Sequence, residues 1–283
     1  MLNGDLKSSA LQALESANDA YQKSAAAVSK GSEKLYTLRQ KSSQMVIGSV
    51  EEYVNTLANT PKEFDRTFSV FRAEYQTFTK IISQLNKDAE NVNVKAGGIS
   101  AGGVATGVGV AALAPTAAMA IATTFGAAST GTAISALSGA AATNAALAWL
   151  GGGALAAGGG GMVAGNALLA LAGPIGWAIG GAGLIGGALF ASSKNKEIAE
   201  NANKERRRII VQTKQLETAR HEIDRLYSTT IEHVNGMKKL LQLLKAEAPL
   251  SYHKFSQINK ERLAALINHV HSLSVLLNKK VDA

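Results

Sequence analysis

The residues able to do chemistry are few, and their spacing does not assemble a reaction. Five histidines, His221, His233, His253, His269 and His271, are scattered beyond residue 220. His269 and His271 stand two apart and on a helix point to different faces, and for His221 and His233 no carboxylate at metal-ligand spacing stands out. No metal site is expected. The absence of cysteine removes disulfide frameworks, thiolate zinc sites and thiol catalysis together. Gly181-Ala182-Gly183-Leu184-Ile185-Gly186 formally matches the dinucleotide fingerprint, but it follows no strand pattern and sits in a glycine-saturated run. No Gly-Lys-Ser/Thr follows any glycine loop, and no nucleophile elbow or carboxylate pair stands out. The expectation is a protein that is not an enzyme, with no catalytic residue, no cofactor and no small-molecule substrate.

Two patterns remain that do physical work without a reaction. Gly173, Gly176, Gly180, Gly183 and Gly187 are spaced 3, 4, 3, 4 and so share one helix face. Such a face lets a second backbone approach closely, which drives helix association in lipid, where hydrophobic burial no longer favours contact. The second pattern is basic: Lys194, Lys196, Lys204, Arg206, Arg207 and Arg208. These side chains suit anionic lipid headgroups. Nucleic acid is disfavoured, because Glu197, Glu200 and Glu205 dilute the field and no aromatic platform accompanies it.

Both patterns belong to, or border, the stretch that organises the chain. From Ala96 to Ser193 there is no Asp, Glu, Lys, Arg or His, and 24 of the 28 glycines lie there with Trp149, Trp177, Pro115 and Pro174. A water-facing helix needs a polar face, so a charge-free stretch of this length reads as a membrane-entering block, with a buried Gly/Ala-rich core as the alternative. Its punctuation divides it into candidate spans Ile99 to Phe125, Ala127 to Leu150 and Met162 to Ala191. Gly151, Gly152, Gly153, Gly158, Gly159, Gly160 and Gly161 form a hinge before the last of these. A single helix over the whole block would be ~150 Å long, far beyond a hydrocarbon core of ~30 Å, so several short helices are required. An even number of passes would keep both charged flanks on one side.

The flanks must be the elements that hold this block. Residues 5–58 are helix-prone and free of proline, with Gly31 and Gly48 as the weak points. Its apolar positions Leu35, Leu38, Met45, Tyr53 and Leu57 are diluted by Ser and Thr. Thr60-Pro61-Lys62-Glu63 has the form of a capping box with proline at the first helical position. Phe64, Phe68, Phe71, Tyr75, Phe78, Ile82 and Leu85 then follow at 4, 3, 4, 3, 4, 3, a heptad seam for bundle packing. Beyond the block, a helix to about Lys245 carries Leu216, Ala219, Ile223, Leu226, Thr230, Val234, Met237, Leu241 and Leu244. Ala248-Pro249-Leu250-Ser251 breaks it, and a final helix carries Leu263, Leu266, Val270, Leu273 and Leu277. The fold class expected is all-α: a long-helix bundle or coiled coil formed by arms 1–95 and 194–283 around the hydrophobic helical block 96–193.

This order of parts, soluble helices on both sides of one internal hydrophobic block, resembles the α-helical pore-forming toxins of the cytolysin A and tripartite haemolysin type, and more loosely apolipoprotein L. The run from Ser129 through Asn144, continuing past Trp149 to Met162, is also similar to glycine-rich segments of poorly characterised bacterial proteins. The toxin resemblance is one of architecture, and the 98-residue block, Ala96 to Ser193, exceeds the shorter tongue or hairpin usual there. It implies a protein that inserts its block into an anionic bilayer and permeabilises it as a homo-oligomer or with a partner component in the membrane. The alternative is a constitutively anchored helical scaffold or a secretion-translocator-like protein. Met1-Leu2-Asn3-Gly4-Asp5-Leu6-Lys7 has neither a basic n-region nor an apolar run, so no cleavable signal is expected. Synthesis in the cytoplasm, association with membrane and, for any export, a leaderless route are the corresponding expectations.

Overall fold

The computed structural model describes residues 4–96, 120, 123–125 and 195–281, without the side chains of 22, 81 and 84–96. Among the described residues the fold is all-α, with two isolated β-bridges and no longer strand pairing. Helix α1 spans Gly4–Met45 and passes through a π-helical turn, Val46–Glu51, into α2, Glu52–Thr56. The backbone stays right-handed helical at both joints, so these form one rod. The wider π turn brings Val46, Val50 and Glu51 to the same buried side, which 3.6-residue winding alone would not do. Glu51 is thereby buried and is paired with Arg72 of α3.

A turn with Asn59 in the left-handed region leads to α3, Lys62–Ala96, which begins one residue after Pro61. Phe64, Phe68, Phe71 and Phe78 of the heptad seam are buried, and Tyr75 and Ile82 are partly buried beside them. The Leu85 side chain lies outside the described residues. Burying a phenylalanine stabilises by about 1.5–3 kcal/mol, so this seam is a main source of cohesion. Helix α4, Asn195–Glu247, buries all nine of its expected seam positions, Leu216 to Leu244. After Pro249 a single 3-10 turn, Tyr252–Lys254, leads to α5, Gln257–Leu277, whose Ser256 side chain accepts from the Asn259 amide as an N-cap. Leu263, Leu266, Val270, Leu273 and Leu277 are buried as spaced.

The directions of the helices follow from paired contacts. Gly31 lies against Ile223 and Ala58 bridges in parallel to Ser251, so α1 and α4 run the same way. Arg72 pairs with Glu51 and Phe78 stacks near Tyr36 at 5.8 Å, so α3 runs against α1. Arg262 pairs with Glu247 and His269 meets His233, so α5 runs against α4. At one end Phe64, Tyr252 and Phe255 close the bundle through edge and tilted ring contacts of 6.3 and 5.5 Å. Towards the other end α1 and α4 pack through a seam that mixes small residues, Ala10, Ala25, Ala199, Ala202 and Ala219, with larger ones, Leu14, Tyr21, Val28, Ile209 and Leu216.

The α1 seam departs from its sequence reading. Leu38 and Met45 are only partly buried, and the innermost positions between Leu35 and Val46 are Arg39, Ser42 and Ser43. Both serines donate to the Arg39 carbonyl, at 2.9 and 2.8 Å, which spares their hydroxyls an unpaired burial.

Candidate functional site

The innermost of these polar residues, Arg39, marks where the bundle grips the apolar block. It is 1% exposed, and its position on α1 is set by the seam that buries Leu35 and Val46 on either side. Its Nη1 donates to the Thr123 carbonyl at 3.3 Å and its Nη2 to the Lys279 carbonyl at 2.6 Å, while Nε has no partner. Lys280, just beyond α5, donates from Nζ to the same Thr123 carbonyl at 2.8 Å. The Val281 amide donates to the Thr124 carbonyl at 2.8 Å, completing a bridge between the tail after α5 and residues 123–125. Two cations therefore share one neutral acceptor.

The segment so held is part of the charge-free block, and its described residues are buried. Ala120, Thr123, Thr124 and Phe125 are all 0–1% exposed. Both threonine hydroxyls donate back to the Ala120 carbonyl, at 3.1 and 2.6 Å, so their polar groups are satisfied locally. Phe125 enters the same core as Leu35, Ile223, Leu226, Leu276 and Val281. By the His233–His269 register α5 ends near Leu226, and Phe125 fills the space where that helix stops.

The electrostatics of this clasp oppose it. Burial lowers the Arg39 pKa to about 10, and burial together with the Arg39 charge lowers the Lys280 pKa to about 8. Hydrogen bonds to carbonyls and the packing of Phe125 must outweigh the desolvation of two like charges. Asn278 reinforces the tail by donating from Nδ2 to the carbonyl and the Oε2 of Glu74 on α3, at 2.9 and 2.7 Å.

The basic flank is on the first turns of α4. Lys196, Lys204, Arg207 and Arg208 are exposed, Arg206 is half-buried with its Nε unpaired, and Lys194 lies outside the described residues. Lys196 pairs with Glu200 at 3.9 Å and Arg208 with Glu205 at 3.4 Å, both solvent-exposed. Surface pairs of this kind contribute little to stability and leave the cations available to other anions. The glycine stripe Gly173, Gly176, Gly180, Gly183 and Gly187 and the hinge glycines Gly151 to Gly153 and Gly158 to Gly161 lie outside the described residues. No helix among the described residues is long and apolar enough to cross a membrane.

The histidines behave differently from their linear spacing. His233 and His269 come together across α4 and α5, with Nδ1 to Nδ1 at 2.9 Å and ring centroids 5.2 Å apart. Among the described residues no group of three metal-ligating side chains forms. Reading spacing along one helix misses this pair; the antiparallel register about Pro249 would have brought the two positions level. Sequence reading also missed the clasp, because Arg39 and Lys280 look like ordinary solvated charges until the tail is placed.

No protein-family model matches the chain, and neither the curated proteins nor the solved structures contain one that is significantly similar to it.

Proposed function

We propose that this is a membrane-active helical protein that keeps its glycine-rich block against a helical bundle, releases it to a bilayer, and oligomerises there to permeabilise the membrane. The observation that carries the reading is the absence of any charge from Ala96 to Ser193, beside a basic helix start. The burial of Ala120 and Thr123 to Phe125 supports it, since part of the block is sheltered by the flanking helices. Anionic lipid is the favoured surface, because the exposed cations from Lys196 to Arg208 border the block on its C-terminal side. No nucleic acid, small-molecule substrate or cofactor enters this reading.

Dye release from anionic liposomes by the purified full chain tests it. The parent should cause leakage, and Gly180→Leu with Gly183→Leu should still bind lipid, since the segment becomes more apolar. That variant should lose oligomers and leakage, because side-chain bulk on the stripe holds two backbones apart. Absence of leakage by the parent favours the second reading, a permanently anchored scaffold. Unimpaired leakage by the double variant removes the stripe as an assembly surface.

A further inference from the structure

We infer that His233 and His269 form an acid-sensitive joint between α4 and α5: the contact tolerates one added proton and opens on the second. The argument starts from the atoms that meet. Nδ1 of each ring faces Nδ1 of the other at 2.9 Å, so one ring donates and the other must accept with a bare nitrogen. A first proton placed on the donor ring makes it a charged donor and shortens the odds of breaking, since charge-assisted bonds are stronger. A second proton has only the acceptor Nδ1 to occupy. That replaces a hydrogen bond by two N–H groups pointing at each other on two like charges.

The surroundings allow neither ring to turn away cheaply. A β-carbon at Gly236 would lie 2.5 Å from Nε2 and 2.7 Å from Cε1 of His269, so the imidazole rests against the α4 backbone where only glycine leaves room. Both rings are half-buried in the groove between the helices. One helical turn either way, α4 offers Thr229, Thr230, Gly236 and Met237, and α5 offers Ala265, Leu266, Ser272 and Leu273. None of these ionises. Burial first, and then the His233 charge, lower the His269 pKa, and Glu232, next to His233 on α4, raises it. With its folded pKa below the ordinary value, His269 contributes stability to the joint that is fully present above the ordinary histidine range. That contribution is lost as pH falls through the range towards the lowered value.

The joint lies on the helix that carries the clasp. Leu277 ends α5, and Asn278, Lys280 and Val281 follow at once with their bonds to Glu74, Thr123 and Thr124. Loosening α5 from α4 therefore loosens the grip on residues 123–125, and this last consequence, though not the joint itself, rests on the proposed function.

The test uses the full chain with labelled histidines, followed by NMR from pH 8 to 4.5. In the parent, one imidazole should titrate later than the other four and show a second inflection from its neighbour. In His233→Asn, which keeps a polar atom near the Nδ1 position but cannot become a cation, that late step should move up towards the ordinary range, burial of His269 holding back the rest, and the second inflection should vanish. Because the chain has no cysteine, spin labels at Lys239→Cys and Asn268→Cys report the α4–α5 separation directly. Their distance should lengthen at low pH in the parent and stay fixed when His233→Asn is added. Five independent titrations, or a constant distance through the second protonation, overturn the joint. Opening without dye release at the same pH leaves the joint standing and counts against the membrane reading.

Discussion

Replacing Lys280 by Met should make the clasp less costly at neutral pH and remove its response to alkali. Lys280 is held with its pKa at about 8 instead of 10.5, by burial first and by Arg39 second. A cation whose folded pKa is depressed weakens the folded state as pH falls from the unfolded value towards the folded one, and the penalty is complete below the latter. Taken at ~1.4 kcal/mol per pKa unit, the full shift would amount to ~3 kcal/mol. Lys280 is only half-buried, so solvent screening reduces this to roughly 1–2 kcal/mol. Loss of its bond to the Thr123 carbonyl costs about 1 kcal/mol, but that acceptor keeps Arg39. At pH 7 the variant should therefore equal or exceed the parent in thermal midpoint. On raising the pH to about 10 the parent should gain on the variant by ~1–2 kcal/mol, on the order of 3–6 °C for a chain of this size. Taking the difference between the two proteins cancels the titration of tyrosines and other lysines. A parent-minus-variant difference that stays flat from pH 7 to 10, or shrinks, refutes the idea that the half-buried Lys280 and the buried Arg39 meet as like charges at this carbonyl.

Gly31→Leu should destabilise the α1–α4 pair by about 1–3 kcal/mol, because a β-carbon there already stands 3.1 Å from Cγ2 of Ile223. Gly31→Ala should do less harm, helix propensity offsetting the small shift it demands; equal denaturation midpoints for Leu and parent would remove the close approach. Changing Arg206, Arg207 and Arg208 together to Gln should cut binding to anionic vesicles more than tenfold at low salt, at ~1 kcal/mol per basic residue near the surface. Salt should weaken the parent in the same sense, and equal binding to neutral and anionic vesicles in sedimentation would refute electrostatic recruitment.

How much of this was legible depended on the size of the side chains. Large apolar groups at 3 and 4 spacing announce a seam, and Phe64 to Phe78, Leu216 to Leu244 and Leu263 to Leu277 are buried as their pattern requires. The α1 seam mixes large members at heptad spacing, Leu14, Tyr21, Val28 and Leu35, with Ala10, Ala25, Ser32, Arg39, Ser42 and Ser43, which read as polar or neutral in sequence. Those residues are inside because α4 meets them with Ala202, Ala219 and Ile223, and short side chains let the two rods approach. The small and polar members carry no local signal of burial, whereas Leu14, Tyr21, Val28 and Leu35 do. The clasp was hidden for a related reason: a carbonyl acceptor leaves no trace in side-chain spacing. The histidine pair was hidden only by looking along one helix at a time, since the hairpin about Pro249 sets His233 opposite His269.

The directions of the four helices bear on how a sheltered block could leave. Helix α3 runs from the closed end of the bundle towards Ala96, and α4 sets out from Asn195 towards that same closed end. Both junctions with the charge-free block therefore lie away from the closed end, where Phe64, Tyr252 and Phe255 pack together. Among the described residues of the block, what must be given up includes the burial of Ala120 and of Thr123 to Phe125 and three hydrogen bonds, from Arg39 and Lys280 to the Thr123 carbonyl and from the Val281 amide to the Thr124 carbonyl. Two of those bonds come from cations that regain water when they let go, which returns part of the desolvation cost the clasp had imposed. On the proposed function such a hold suits the block, since contacts to two carbonyls by cations that water can re-solvate are specific without being strong.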